Sequence, residues 1–306
     1  MDCALHRYAH CHHPKFANKI IIFLLNLRRT CCLCIVGQLQ YILLKGEPVC
    51  GVTSLDDEIF VLRLKERDQV EVYNAITYRL QRYLTVMNFS KFTDMTSCKH
   101  YHCLYISNVV VECVHRLDTQ GAATRWPVND VPAGLSVNAA HNVIVTCYYS
   151  KKIKEFSSHG DLLRELTLPD DVITPHHTIQ SRSGQFIVCH GGPDDPIHRV
   201  CMISADGRHI VQSHGGLRGS AIGQYDAPGH LTVDDNEFVF VVDVFNRRVT
   251  LLSPTLSYVR EVMTSDKLKW SAGRLYLDVQ RRRLYVVDNK WRDGEWTSGR
   301  VAVFSV

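Results

Sequence analysis

The sequence predicts an all-β protein, a six-bladed β-propeller with four-stranded blades. Three observations predict it. Short apolar β runs separated by turn residues recur six times along the chain. One stretch, Ala227 to Ser253, shows the repeating unit with little degeneration. The two ends of the repeating region are complementary, because the last unit stops one strand short and an unpaired strand precedes the first.

The clearest unit explains the others. Leu231 to Val233, Phe238 to Asp243 and Val249 to Leu252 are rich in Val, Phe, Thr and Leu, residues that suit strands packed on both faces. Asp234-Asp235-Asn236 supplies a tight turn between the first two, and Phe245-Asn246-Arg247 a looser one before the third. A fourth run, Tyr258 to Val262, follows Ser253-Pro254. A sheet of four short strands cannot bury both its faces alone, so like units must stand beside it.

Taken from the N-terminus, residues 1 to 36 read as a leader outside the domain. They crowd His6, His10, Cys11, His12 and His13 ahead of an eight-residue apolar run, Ile20 to Leu27, which is too short to span a bilayer. Their Cys and His lack the paired spacing of a zinc site. The propeller is expected over residues 37 to 306. Gln38 to Leu44 is a lone strand with Leu39, Tyr41 and Leu43 alternating. The first strands then begin at Gly51, Asp94, Gly134, His177, His230 and Arg274, spaced by 43, 40, 43, 53 and 44 residues. Second strands follow at Glu58, Cys103, Val143, Gln185, Phe238 and Leu284, and third strands at Val70, Val114, Ile153, Val200, Val249 and Val301. An open ring leaves bare sheet edges, so Leu39 to Leu44 is expected to pair with Val301 to Val306 and close it.

Composition narrows the class. Of 306 residues, 45% are hydrophobic and 22% charged, ordinary for a globular chain, and a net charge of +4 alone does not argue for nucleic acid. Six of the 12 cysteines lie in the first 50 residues. The others (Cys98, Cys103, Cys113, Cys147, Cys189 and Cys201) sit mostly inside apolar runs, as small buried hydrophobes would. That placement points to a reducing, cytoplasmic setting.

Blade 5 resembles an NHL repeat. Pro228, Val233, Asp234, Asp243, Asn246 and Arg248 stand where that pattern has its marked residues, led in by Gly223-Gln224-Tyr225. Blade 6 follows through Asp278 and Asp288, and blade 3 through Pro132, Gly134 and Phe156. The resemblance implies a propeller like those of the tripartite-motif (TRIM) ubiquitin ligases. The RING, B-box and coiled-coil signals of those ligases are absent from the sequence, so ligase activity does not follow.

Candidate binding residues come from aligning blades. Just before strand three stand Lys152, Arg199, Arg248 and Arg300, with Lys151 and Arg247 beside two of them. Tyr149 and Phe245 share those loops. Cations on one face could contact phosphates, and aromatic rings could stack on bases. The alternative role is local, with each cation bracing its hairpin against an Asp that ends strand two, as Asp243 could with Arg248. His177 and His230 are aligned at the start of strand one and should face the channel, with Asp94 and Arg274 at the same level. No third aligned His completes a zinc site, and Arg274 would oppose a cation. No metal or other cofactor is therefore expected, nor any catalytic constellation.

The resulting expectation is a monomeric, non-enzymatic propeller that recognises a macromolecule on its loop-rich face, without membrane contact. A protein partner leads and RNA is the alternative ligand. The competing expectation is a channel metalloenzyme of the amidating-lyase or lactonase kind.

Overall fold

A computed structural model describes residues 39–42, 47–63, 69–85, 92–293 and 295–306. The expected leader at residues 1 to 36 lies outside them. All regular structure in the described residues is β, in six sheets of four antiparallel strands. Blade 1 contains β2 (Val49–Leu55), β3 (Glu58–Arg63), β4 (Gln69–Asn74) and β5 (Leu80–Thr85). Blade 2 contains β6 (Phe92–Cys98), β7 (Cys103–Asn108), β8 (Cys113–Asp118) and β9 (Ala123–Pro127). Blade 3 runs from β10 (Pro132–Val137) through β11 (Val143–Cys147) and β12 (Lys152–Phe156) to β13 (Leu162–Thr167). Blade 4 runs from β14 (Pro175–Gln180) through β15 (Phe186–His190) and β16 (Ile197–Ile203) to β17 (Ile210–Leu217). Blade 5 has β18 (Pro228–Val233), β19 (Val239–Asp243), β20 (Arg248–Leu252) and β21 (Tyr258–Met263).

Blade 6 is completed from the other end of the chain. Its sheet orders β22 (Ser271–Asp278), β23 (Arg283–Arg292), β24 (Glu295–Ser305) and then β1 (Gln40–Ile42). Gln40 pairs with Val303, Tyr41 with Ala302 and Ile42 with Val301, which is the expected closure. Leu43 and Leu44 lie outside the described residues. Apolar clusters sit between neighbouring blades rather than within one. Leu62, Val70 and Val72 of blade 1 pack with Met95, Leu104 and Ile106 of blade 2, and Ile179 and Cys189 of blade 4 with Leu231 and Val241 of blade 5. Each fully buried Leu, Ile or Val contributes about 1.5–3 kcal/mol, so a blade is held mainly by its neighbours. The seven cysteines among the described residues are free and buried.

Two stretches differ from expectation. Ser213 to Gly223 reads as a Gly-rich interblade loop, but Ser213 to Leu217 finish β17 in register with Ile197 to Cys201. The remainder is tied down by Arg248, which donates to the carbonyls of Ser220, Ala221 and Gln224. Trp291 to Ser298 reads as a long loop. It is instead mostly strand, with Lys290 paired to Ser298 and Arg292 to Glu295.

One irregularity recurs in all six blades. The register between the first and second strands slips near the start of the first strand, between Val49/Gly51, Phe92/Met95, Pro132/Gly134, Pro175/His177, Pro228/His230 and Ala272/Leu275. A β-bulge bends the strand and re-aims the next side chain. In blades 2 and 6 two residues are set opposite one, and those bulges contain Asp94 and Arg274.

Candidate functional site in the channel

The bulges assemble a compact polar cluster around one carboxylate. Asp94 is 1% exposed. Its Oδ1 accepts from the Met95 amide at 3.0 Å and its Oδ2 from the Leu135 amide at 2.8 Å. His230 Nε2 is 3.3 Å from Oδ1, Arg274 Nε 3.4 Å from Oδ1, and His177 Nε2 3.7 Å from Oδ2. The two imidazole rings stack with centroids 3.7 Å apart. Blade 3 makes room for this contact through glycine. A Cβ on Gly134 would meet the His176 carbonyl oxygen at 2.5 Å and the His177 ring at 2.9 Å.

Electrostatics fix the charge states. Burial works against a charge on Asp94, but His230 and Arg274 outweigh it and hold the carboxyl well below its usual range. Burial also lowers both imidazoles, His177 to about 3 and His230 in the same direction. At neutral pH the cluster is therefore a carboxylate, a guanidinium and two neutral rings.

Hydrogen bonding then fixes one tautomer. His177 Nε2 lies 2.9 Å from the Leu135 carbonyl oxygen, which only accepts, so Nε2 carries the hydrogen and the lone pair stays on Nδ1. His230 Nε2 lies 3.3 Å from Asp94 Oδ1 but makes no hydrogen bond of good geometry to it. Both Nδ1 atoms are buried and have no hydrogen-bond partner. A buried acceptor left unmatched costs about 1–3 kcal/mol, which the contacts around the cluster must offset.

The same atoms test the metal expectation. Asp94, His177 and His230 offer ligand atoms within 4.8 Å of one another. They do not fit a divalent cation. His177 Nε2 is committed as a donor to Leu135, and the Arg274 guanidinium already lies against the carboxylate oxygen that faces His230. A cation there would meet a fixed positive charge.

The aligned cations of the loop face are engaged within the chain. Arg248 is 7% exposed and donates to Asp243 and Glu261, each at 2.8 Å. Arg300 donates to Asp288 at 2.7 Å and lies 3.9 Å over the Tyr41 ring. Lys152 pairs with Glu165, and Arg199 donates to the Asp171 carbonyl at 3.1 Å. The two aspartates do more than neutralise. Asp243 accepts the Asp226 amide, and Asp288 accepts those of Lys269 and Trp270, so each clamps the loop entering its blade. Lys151 and Arg247 take the left-handed position of their turns, at φ 54 and 53. Tyr149 is 76% exposed and Phe245 41%, both on the loop face.

Sequence alignment of the blades placed Asp94, His177, His230 and Arg274 at one level. It missed that Asp94 reaches all three others, because nothing in the chain marks the doubled bulges that aim it.

Buried histidines give the molecule a pH dependence with a definite sign. Burial holds His115 and His190 down at about 4 and His177 at about 3, against about 6.5 in an unfolded chain. Between those values the unfolded chain binds more protons, so stability falls as pH falls. The unfolding free energy should be flat from pH 8 to 7 and drop progressively from about pH 6.5 to 4, by up to about 1.4 kcal/mol per pH unit for each histidine, with Tm falling in step. A melting temperature unchanged down to pH 4.5 would contradict this.

Comparison with known proteins agrees with the fold. No protein-family profile matches the chain, and no curated protein matches it by sequence. Solved structures do. Virginiamycin B lyase from Staphylococcus aureus is similar with a TM-score of 0.60 at 9% identity, covering 88% of this chain and 99% of its own. A catalytically inactive histidine-to-alanine variant of that lyase, solved with quinupristin, is similar with a TM-score of 0.61 at 12% identity over the same 88% of this chain and 99% of its own. Kuenenia stuttgartiensis hydrazine synthase is similar over 84% of this chain and 96% of its own, with a TM-score of 0.58 and 12% identity. At these identities the likeness shows the fold alone. The NHL resemblance has no family match behind it and rests on the blade 5 residues. The expectation of a non-enzymatic chain is corrected: propellers matching most of the chain include lyases, so this is a fold that carries enzymatic chemistry.

Proposed function

We propose that the channel cluster performs general-base chemistry on a small ligand, of the proton-abstracting kind that lyases use. One observation carries the reading. His230 sets its Nε2 3.3 Å from an ionised, buried carboxylate, and its Nδ1 has no hydrogen-bond partner, so a tautomer with the hydrogen on Nε2 would leave Nδ1 as the base. A carboxylate that orients an imidazole fixes the tautomer and stabilises the imidazolium formed when the free nitrogen takes a proton. Arg274, with 22% of its side chain exposed, is the cation placed to attract a negatively charged group on the ligand. The similarity to lyase propellers supports the reading at the level of fold.

The test is a panel of carboxylates with a β leaving group, small lactones and quinupristin, followed by NMR in D2O for loss or exchange of the proton next to the carbonyl. His230→Ala and Asp94→Asn should each lower the rate about 10²–10⁴-fold. Arg274→Met should mainly raise KM for anionic members of the panel. Wild-type protein that turns over no compound faster than His230→Ala would overturn the proposal.

A further inference from the structure

A second feature lies on the loop face, away from the channel cluster. The strand two to three loop of blade 3, the loop leading into blade 4 and the strand two to three loop of blade 4 enclose a groove of about 490 Å³. Tyr148, Tyr149, Lys151, Thr174, Asp194 and Asp195 are among its lining residues. Its floor is built rather than incidental. The Gly192 amide donates to Asp195 Oδ2 at 2.7 Å and to Thr174 Oγ1 at 2.8 Å, and Thr174 Oγ1 donates to the same carboxylate. These bonds fix the loop before any partner arrives, which reduces the ordering cost of binding.

The rim has the chemistry to hold a cation. Tyr149 is 76% exposed and stands edge-on to Tyr148, with ring centroids 5.0 Å apart, so a face of its ring is open. Asp194 is exposed, and no ion pair reaches it among the described residues. Asp170 and Asp171 lie exposed on the adjoining loop. Lys151 is the cation lining the groove, set against Asp194 and Asp195.

We infer that this groove docks an arginine or lysine side chain carried on a segment of a protein partner. The charged head would stack on Tyr149 and pair with Asp194. Complementarity of charge favours this occupant over RNA, since phosphates entering here would meet the carboxylates of Asp194 and Asp195. The expected RNA contacts at Lys151 and Tyr149 thus fall on the acidic edge of the loop face. The chain as a whole carries +4, so its surface would not gather cationic peptides indiscriminately.

The experiment is fluorescence anisotropy at about 50 mM salt, where surface charge is weakly screened, using three labelled probes. These are a peptide of alternating Gly and Arg, its Gly-Glu counterpart and a uridine decamer. The Arg peptide should bind the full chain, and Tyr149→Ala and Asp194→Asn should each weaken it about tenfold or more with Tm unchanged. Lys151→Glu should strengthen it. Three results would overturn the inference: no binding of the Arg peptide, equal binding by wild type and both variants, or tighter binding of the uridine decamer that is lost in Tyr149→Ala.

Discussion

Asp243→Ala is expected to destabilise the protein by about 3–5 kcal/mol, because three buried donors lose their acceptor and Arg248 keeps only Glu261 as a counter-charge. Asp243 is fully buried and accepts from the Asp226 amide, Asn246 Nδ2 and Arg248 Nε, each at 2.8 Å. Arg248 then holds Ser220, Ala221 and Gln224 of the interblade loop. Removing the carboxylate therefore loosens a hairpin and a loop together. For a domain of this size a Tm fall of about 10 °C corresponds to such a loss. The double variant Asp243→Leu with Arg248→Met should recover much of it, since paired apolar replacement of a buried ion pair is often near neutral. Asp288→Ala in blade 6 should cost less, because the Arg300 side chain is 13% exposed and also rests on Tyr41 and Trp270. Differential scanning calorimetry of the three variants checks the ranking; an Asp243→Ala protein melting like wild type would refute it.

Loss of the closing strand should be more severe still. A chain lacking residues 1 to 36 is expected to melt like the full chain, whereas one lacking residues 1 to 47 should fail to fold cooperatively or should aggregate. Ile42 is 2% exposed and packs in a cluster with Tyr285, Val301 and Val303. Tyr41 donates its hydroxyl to the Lys267 carbonyl at 2.9 Å and carries the Arg300 guanidinium on its ring. Deletion to residue 47 removes all of this and bares the edge of β24 along Val301 to Val303, an apolar edge open to other chains. Equal melting of the two truncated chains would show that the pairing of Gln40 to Ile42 contributes nothing.

The fold was legible because it is written in local signals. Alternation, turn residues and a recurring interval identify strands without knowledge of what they touch, and the lone Gln38 to Leu44 strand could belong only to an incomplete blade. The site was legible by half. Blade alignment brought Asp94, His177, His230 and Arg274 to one height, yet reach depends on bulges and on the bare Cα of Gly134. The aligned cations show the opposite difficulty. Their recurrence is visible in the chain, but whether Arg248 or Arg300 faces solvent is decided by a carboxylate one strand away. Nothing in the chain shows that Asp194 and Asp195 stand near Tyr149, since that relation crosses two blades.

The braces within the blades are not all alike. Blade 1 sets Arg63 on its second strand against Glu71 on its third, whereas blades 5 and 6 set Asp243 and Asp288 on the second against Arg248 and Arg300 on the third. Blade 3 uses Lys152 and Lys154 of the third strand against Glu165 of the fourth. In a chain of near-equivalent hairpins, apolar faces alone would let a strand join the wrong blade during folding. These charges distinguish the partners. A strand ending in Asp243 laid beside the one bearing Glu71 would bury two carboxylates, while its own partner offers a guanidinium. The ion pairs thus act as address labels that set blades 1 and 3 apart from blades 5 and 6.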